Sequence, residues 1–552
     1  AKLSASGGCA KAGKNGEARF ERFGEGAISA SFMRKFASIP VICARPAPEN
    51  FPKNTSANPI DKIVHANLEA AGIIPSEICT DSEFLRRVYL DATGLLPSPK
   101  TAEAFLRDKS KDKRAALIES LLKSPEFTDM LAMRLSDALR IKSEFPSNLW
   151  PNAAQAYYVW LRDCLAAGKP YDIIAREMLL SSGSNFKSPP SNFYRAVSSK
   201  NAEGFSESVA LVFMGLRTNC IKCHAHPYED WTMADNKNFA AIFKNLSFKK
   251  SKEWKEEILC VNVPDFADGA KEESFKIFGE TIKSPAGADY REAFAEWLLD
   301  KKNPYFAKIA VSRIWHWIFS KGLVEPADDI RPNNVSANAE ILDILSAEFI
   351  NSGFDLKSVY RLIFNSQTYQ RSSVPNATNK NDEKLFSRHI PSRLTAESLN
   401  DIISGSLGVY QPFKSITPEP YAFWPEDFRA IKLHDGSVSN PFLTLFGKPG
   451  RNSSHLNDRS DKISMQQLLH LMGSANITSK LNGSRFLREL SKPKYSNDEK
   501  IKTLYLTFLC RPPTAREAEI SKKALSSGKP PLESLKDLTW AIINTKEFLY
   551  KI

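Results

Sequence analysis

The sequence predicts a mainly α protein: two packed multi-helical domains, a short irregular or β bridge between them, and an extended N-terminal arm. Three observations predict it. From residue 58 onward, apolar residues recur at helical spacing in one segment after another. Between residues 246 and 285 that spacing is lost, and "EEILCVNVPDF" (256–266) carries alternating or continuous β-branched residues instead. The first 57 residues are rich in Gly, Ala, Ser and Pro and have weak periodicity. The expected boundaries are therefore 1–57 for the arm, 58–247 for the first helical domain, 248–287 for the bridge and 288–552 for the second helical domain. A chain of 552 residues, 42% hydrophobic and 25% charged, is expected to fold into two or three domains.

The elements follow in order. "FMRKFASIPVICARPA" (32–46) is faintly signal-like, but its apolar stretch is short and holds Pro40, so it reads as part of the extended arm. The chain opens at Ala1, which fits a removed leader or a piece of a longer sequence. "NPIDKIVHANLEAAGI" (58–73) opens the helical region, with Pro59 in the first turn and Gly72 at the end. Helical spacing continues in 113–127, 127–141, 154–168, 171–183 and 206–216, the last running straight into a cysteine cluster. Beyond the bridge it resumes in 290–319, 338–353, 355–370, 393–408 and 464–481. Residues 409–463 form a long irregular stretch, rich in Pro, Gly, Ser and aromatics, of the kind that often carries function. "VYLDATGLLPSPKTAEAF" (88–105) is echoed by "LYLTFLCRPPTAREAEI" (504–520), and "LLKSPEF" (121–127) by "IINTKEF" (542–548). Either this is a common way to stop and restart helices, or a hairpin is duplicated near the two ends.

Lys and Arg number 75 against 63 Asp and Glu, a formal charge of +12 spread thinly, densest in "FKKSKEWK" (248–255). A solvated basic surface or attraction for an anionic partner, such as an anionic polysaccharide, would both account for it. No zinc finger, RNP motif or basic helix points to nucleic acid. No apolar run reaches the 18 residues or so of a membrane span.

The chemistry lies in "TNCIKCHAHPYEDW" (218–231). Cys220, Cys223 and His224 form a CxxCH, which chance placement of eight Cys and eight His would produce roughly 0.002 times. In c-type cytochromes the two thiols bond the haem vinyl groups and the adjacent His becomes the proximal iron ligand. A metal site built on CxxCHxH and a redox disulfide are the alternatives; a structural zinc usually takes a second ligand pair, and no other CxxC is present. His226 is a candidate for orienting His224, bonding a haem propionate or ligating something else, beside a plain structural role. A distal ligand is not written in the sequence: His316, in "RIWHWIF", is one candidate, with His455, His470, Met214 and Met233. Asp328 and Asp329 read as a helix-start or salt-bridge feature.

Several ordered blocks resemble a known bacterial family. "NPIDKIVHANLEAAGIIPS" with "FLRRVYLDATGLLPSPKTAEAFL", and "CIKCHAHPYEDWTMADNKNFAAIFKNL" (220–246), resemble the planctomycete-type cytochrome domain DUF1549, or PSCyt2. "NPYFAKIAVSRIWHWIFSKGLVEPADDIRPNN" (303–334), "FDLKSVYRLIFNSQTYQRSS", "SRLTAESLNDII", "FGKPGRNSSHLNDRS" (446–460) and "LYLTFLCRPPTAREAE" resemble its partner domain DUF1553, or PSD1. The resemblance implies an exported, periplasmic or cell-surface protein of Planctomycetes–Verrucomicrobia-type bacteria. It implies one covalent haem c on Cys220, Cys223 and His224, with His226 as a signature residue of unknown role. It further implies a setting near polysaccharide use, and the redox reading adds a redox partner protein. One departure stands out: His455 and Asn457 occupy positions where relatives usually carry two cysteines. The expected function is thus a redox haem protein, in electron transfer or haem-based oxidation. A binding or assembly protein with a structural haem, and a metal-dependent hydrolase, are the alternatives.

Overall fold

A computed structural model describes residues 2–13, 15–263 and 271–552. It is mainly helical, as expected, with small antiparallel sheets at the N-terminus and in the bridge. No helix among the described residues is long and apolar enough to cross a membrane.

The helices begin and end where their sequences say they must. In Pro59–Ala71, Asn58 accepts a hydrogen bond from Ile60 N–H and Gly72 closes the helix at φ 64°. Its buried stripe, Ile60, Val64 and Leu68, joins a core that continues through both helical regions. That core gathers residues from Ile60 to Phe386, takes in helices Tyr290–Leu299, Phe306–Phe319, Ala339–Asn351 and Leu356–Phe364, and is joined by residues nearer the C-terminus. A second core gathers Leu394 to Leu549. The two cores interlock across the chain: Leu506 and Cys510 join the first, and Leu90 joins the second.

The segment read as an extended arm is β-structured. Strands Lys2–Ser6, Gly24–Phe32 and Lys35–Cys43 form an antiparallel sheet, with Lys2 opposite Ser31 and Phe32 opposite Lys35. Its tight turn is Met33–Arg34, at φ 45° and 65°. Such turns normally advertise themselves with Asn-Gly or Asp-Gly, and this one does not. The bridge holds two hairpins. Leu246–Lys250 pairs with Glu257–Val261, which also takes Gly183–Ser184 on its other edge. Glu272–Ile277 pairs with Glu280–Pro285. The end of the expected strand stretch, 264–266, lies outside the described residues.

The internal echo is geometric. Helix Asp81–Thr93 ends on left-handed Gly94 (φ 69°), and helix Asn497–Leu509 on left-handed Cys510 (φ 58°). Each is followed by a Pro-containing turn and a capped helix, Pro99–Arg107 on Ser98 and Ala515–Leu525 on Thr514. The two hairpins join: Arg86 donates to Phe508 O (2.9 Å) and Phe548 O (2.7 Å), and Lys502 pairs with Glu103.

Candidate functional site

The cysteine motif is delivered by a helix that stops abruptly. Helix Ala202–Val209 continues as a π-turn, Ala210–Met214, and ends on Gly215 at φ 64°. A Cβ at Gly215 would stand 2.7 Å from Ile309 and Ile330, so backbone passes there only as glycine. Arg313 satisfies two carbonyls near this end, Val212 O at 2.5 Å and Leu211 O at 2.8 Å. Ile330 N–H donates to Gly215 O at 2.8 Å. The Phe306–Phe319 helix and the loop after it thus hold the start of the motif.

Cys220, Cys223 and His224 then occupy a single helical turn. Asn219–Lys222 is 3-10, Cys223 N–H reaches Cys220 O at 3.4 Å and His224 N–H reaches it at 3.2 Å. Positions i, i+3 and i+4 of one turn share a face. Ile221 points the other way and is fully buried. Both thiols are free; Cys220 is half-buried and Cys223 exposed. His224 is exposed, and its Nδ1 lies 2.7 Å from Ala225 O. A carbonyl only accepts, so this bond places the proton on Nδ1 and leaves the Nε2 lone pair free. Two unpaired thiols and an available Nε2 on one face match the donor set of a covalent haem attachment.

His226 is placed differently. It is buried, its N–H donates to Trp231 O (2.9 Å), and its Nδ1 accepts from Tyr228 N–H (3.1 Å). Its ring packs 5.2 Å from that of Trp231, which in turn meets Phe278 of the bridge at 4.8 Å. Burial, with Arg331 and His224 nearby, pushes it down to about 4, so it is neutral at physiological pH. His226 closes the 226–231 loop. Glu229, also buried, accepts from Asn333 N–H at 3.0 Å and Asn333 Nδ2 at 2.8 Å. Asp230 pairs with Lys35 of the N-terminal hairpin. Three regions of the chain therefore clamp the loop.

Behind it stands Asp328, fully buried, which pairs with Arg217 and accepts from Leu456 N–H at 2.9 Å. His455 Nδ1 is 3.5 Å away, too far for a well-formed hydrogen bond. Burial opposes the carboxylate, but His455, Leu456 and Arg217 outweigh it and hold Asp328 well below the ordinary range. The expected salt-bridge role of Asp328 and Asp329 is what the structure has, with Asp329 3.2 Å from Arg331.

Asp328 also lines a cavity of about 920 Å³, between helices of the first region, the 320–338 loop, the 449–462 loop and the N-terminal sheet. His316 and His455 line it too, while Cys220, Cys223, His224 and His226 do not. His316 and the cysteine turn are thus not walls of one chamber. Met214 is buried in the core and Met233 is exposed at a helix start. His470 sits against the rings of Phe442 (5.6 Å) and Phe446 (6.1 Å) in the second core. Among the described residues, no three His, Cys, Asp or Glu side chains are grouped to hold a metal ion. Sequence reasoning missed the cavity's arginines, Arg134, Arg217, Arg393, Arg451 and Arg459. One signal was available: Arg134 follows Met130 by four residues on the apolar face of "FTDMLAMRLSDALRI".

Fold and site define a mainly helical protein that presents a CxxCH turn and, apart from it, a cavity lined by charged side chains. Residues 59–248 match the family profile PSCyt2, a protein of unknown function (DUF1549), and residues 290–525 match PSD1, a protein of unknown function (DUF1553). The chain belongs to the family that carries these two segments in this order. No curated protein and no solved structure matches it.

Proposed function

We propose that this chain is an exported c-type haem protein with a redox role, passing electrons to a partner protein or oxidising a substrate at the haem-bearing face. The observation that carries the reading is the single helical turn that sets Cys220, Cys223 and His224 on one face, with both thiols unpaired. Cys220 and Cys223 would hold the group through their sulfurs, and His224 would ligate iron through Nε2, because Nδ1 is committed to Ala225 O. When bound, the haem supplies a one-electron couple. The chain's own residues fix the turn: Ile221 anchors it in the core, and the His226–Trp231 contact sets the loop that follows. Attraction for anionic polysaccharide, and a place at the periplasmic or cell-surface side, belong to the same proposal.

The test is expression in a host competent in cytochrome c maturation, then a pyridine haemochrome spectrum and the intact mass of the denatured chain. A c-type α-band with the added mass of one haem is expected, and Cys220→Ala with Cys223→Ala should abolish both. A colourless chain of unmodified mass from that host would overturn the proposal.

A further inference from the structure

The cavity of about 920 Å³ is lined by charged side chains of both signs. Three of its carboxylates already have cationic partners. Asp91 holds Lys551 at 2.6 Å, Asp328 holds Arg217, and Asp137 holds Arg451 at 2.9 Å and Arg459 at 2.7 Å. Arg459 also takes Glu397, at 2.6 Å. Arg393 lines the same wall and donates only to carbonyls, those of Leu394, Phe446, Ser460 and Asp461.

Arg134 is left over. It is 9% exposed, it lines the cavity, and among the described residues its buried Nε has no hydrogen-bond partner and its charge no direct ion pair, Asp137 and Glu397 acting on it only through space. Burial, then Arg459, lowers its pKa to about 10, so it is still charged at neutral pH. An unpaired buried charge is costly, and structures normally pair it. His316 lines the cavity as well, with a buried Nδ1 that also lacks a partner. Arg134 is held on the regular helix Pro125–Ala138, so its fork is presented by a rigid element. A guanidinium fork bonds planar or tetrahedral oxyanions through two parallel N–H groups. The volume suits a small polar molecule.

We propose that this cavity is a binding site for the oxyanion group of a small polar ligand, a carboxylate, sulfate or phosphate, held by Arg134 with His316 beside it. The site is separate from the cysteine turn, which does not line the cavity.

The experiment titrates the full chain with sodium sulfate, phosphate and acetate separately, ionic strength being matched with sodium chloride. Saturable heat in calorimetry and a raised thermal midpoint are expected for at least one of the three, and the one that binds names the oxyanion. Arg134→Met should weaken that binding at least about tenfold without lowering the ligand-free midpoint, since it removes an unpaired charge. Arg134→Lys keeps the charge but not the fork, and should bind with intermediate strength. No saturable response to any of the three overturns the proposal, and so does equally tight binding by both variants. None of these readouts depends on haem, so failure here leaves the proposed function standing.

Discussion

Cys223 and Cys510 show how one residue type takes opposite chemistry from its surroundings. Cys223 is exposed on the turn, whereas Cys510 is fully buried, and burial pushes its thiol up to about 11 against the opposing pull of Arg86. In haem-free chain, a thiol reagent should modify Cys223 first. Cys510 should react at least about 100-fold more slowly, until the chain unfolds; mass spectrometry of partly labelled protein reads the order. His389 makes the matching case for a base. It is buried, neither ring nitrogen makes a well-formed hydrogen bond, and burial with Arg87 and Lys551 sets its pKa well below the ordinary value. His434 is likewise pushed down to about 4, by burial first. The unfolded chain then binds protons before the folded one does. Stability is therefore full above about pH 6.5 and falls as pH drops toward 4. His389→Leu should raise the urea midpoint more at pH 5 than at pH 7.5; an equal change at both would remove titration of His389 from the account.

At the scale of elements, the two Pro-turn hairpins use different residues for one backbone conformation. Gly94 and Cys510 are both left-handed. At Gly94 a Cβ would stand 2.6 Å from Ile431 Cδ1 and 2.9 Å from Ser398 Oγ, whereas Cys510 has room for a side chain in the core. Gly94→Ala is expected to cost about 2 kcal/mol, combining left-handed strain with overpacking, as measured by denaturant titration. The 326–334 loop depends on Asp328 in the same local way. Asp328→Asn should cost about 3 kcal/mol, because it leaves Arg217 without its carboxylate, and it should loosen the cysteine turn. Faster hydrogen exchange at residues 219–231 would report that loosening. The helices themselves were legible in the sequence because cap, stripe and stop agree, as in Asn58, Ile60–Val64–Leu68 and Gly72. The N-terminal sheet was not, since Gly, Ala and Ser alternate with little contrast and the Met33–Arg34 turn lacks glycine.

At the scale of the whole molecule, the two family segments are not independent. The first core takes residues from both, and Leu90 of the first segment packs into the second core. Arg87, fully buried, donates to Tyr369 O at 2.5 Å, Arg371 O at 2.9 Å and Ile552 O at 2.9 Å. Calorimetry should therefore show a single main transition rather than two. Arg87→Met should lower stability by about 3 kcal/mol, because it strips donors from buried carbonyls. Truncation after Leu525 should abolish folding, because it removes Leu535, Ile543 and Phe548 from the second core.

The sequence by itself determined the helical class, the order of the main helices, the family and the residues of the CxxCH turn, because each is written in local spacing. The tertiary structure alone decided what surrounds that turn. Asn333, Lys35 and Phe278 come from distant parts of the chain, and nothing in their local sequence marks them as neighbours. It also decided that His316 lies apart from the cysteines, in a cavity lined by charged side chains of both signs. Which guanidinium keeps a partner depends on which carboxylates the fold brings within reach. Long-range packing sets that, and among the described residues it leaves Arg134 on the cavity wall without one.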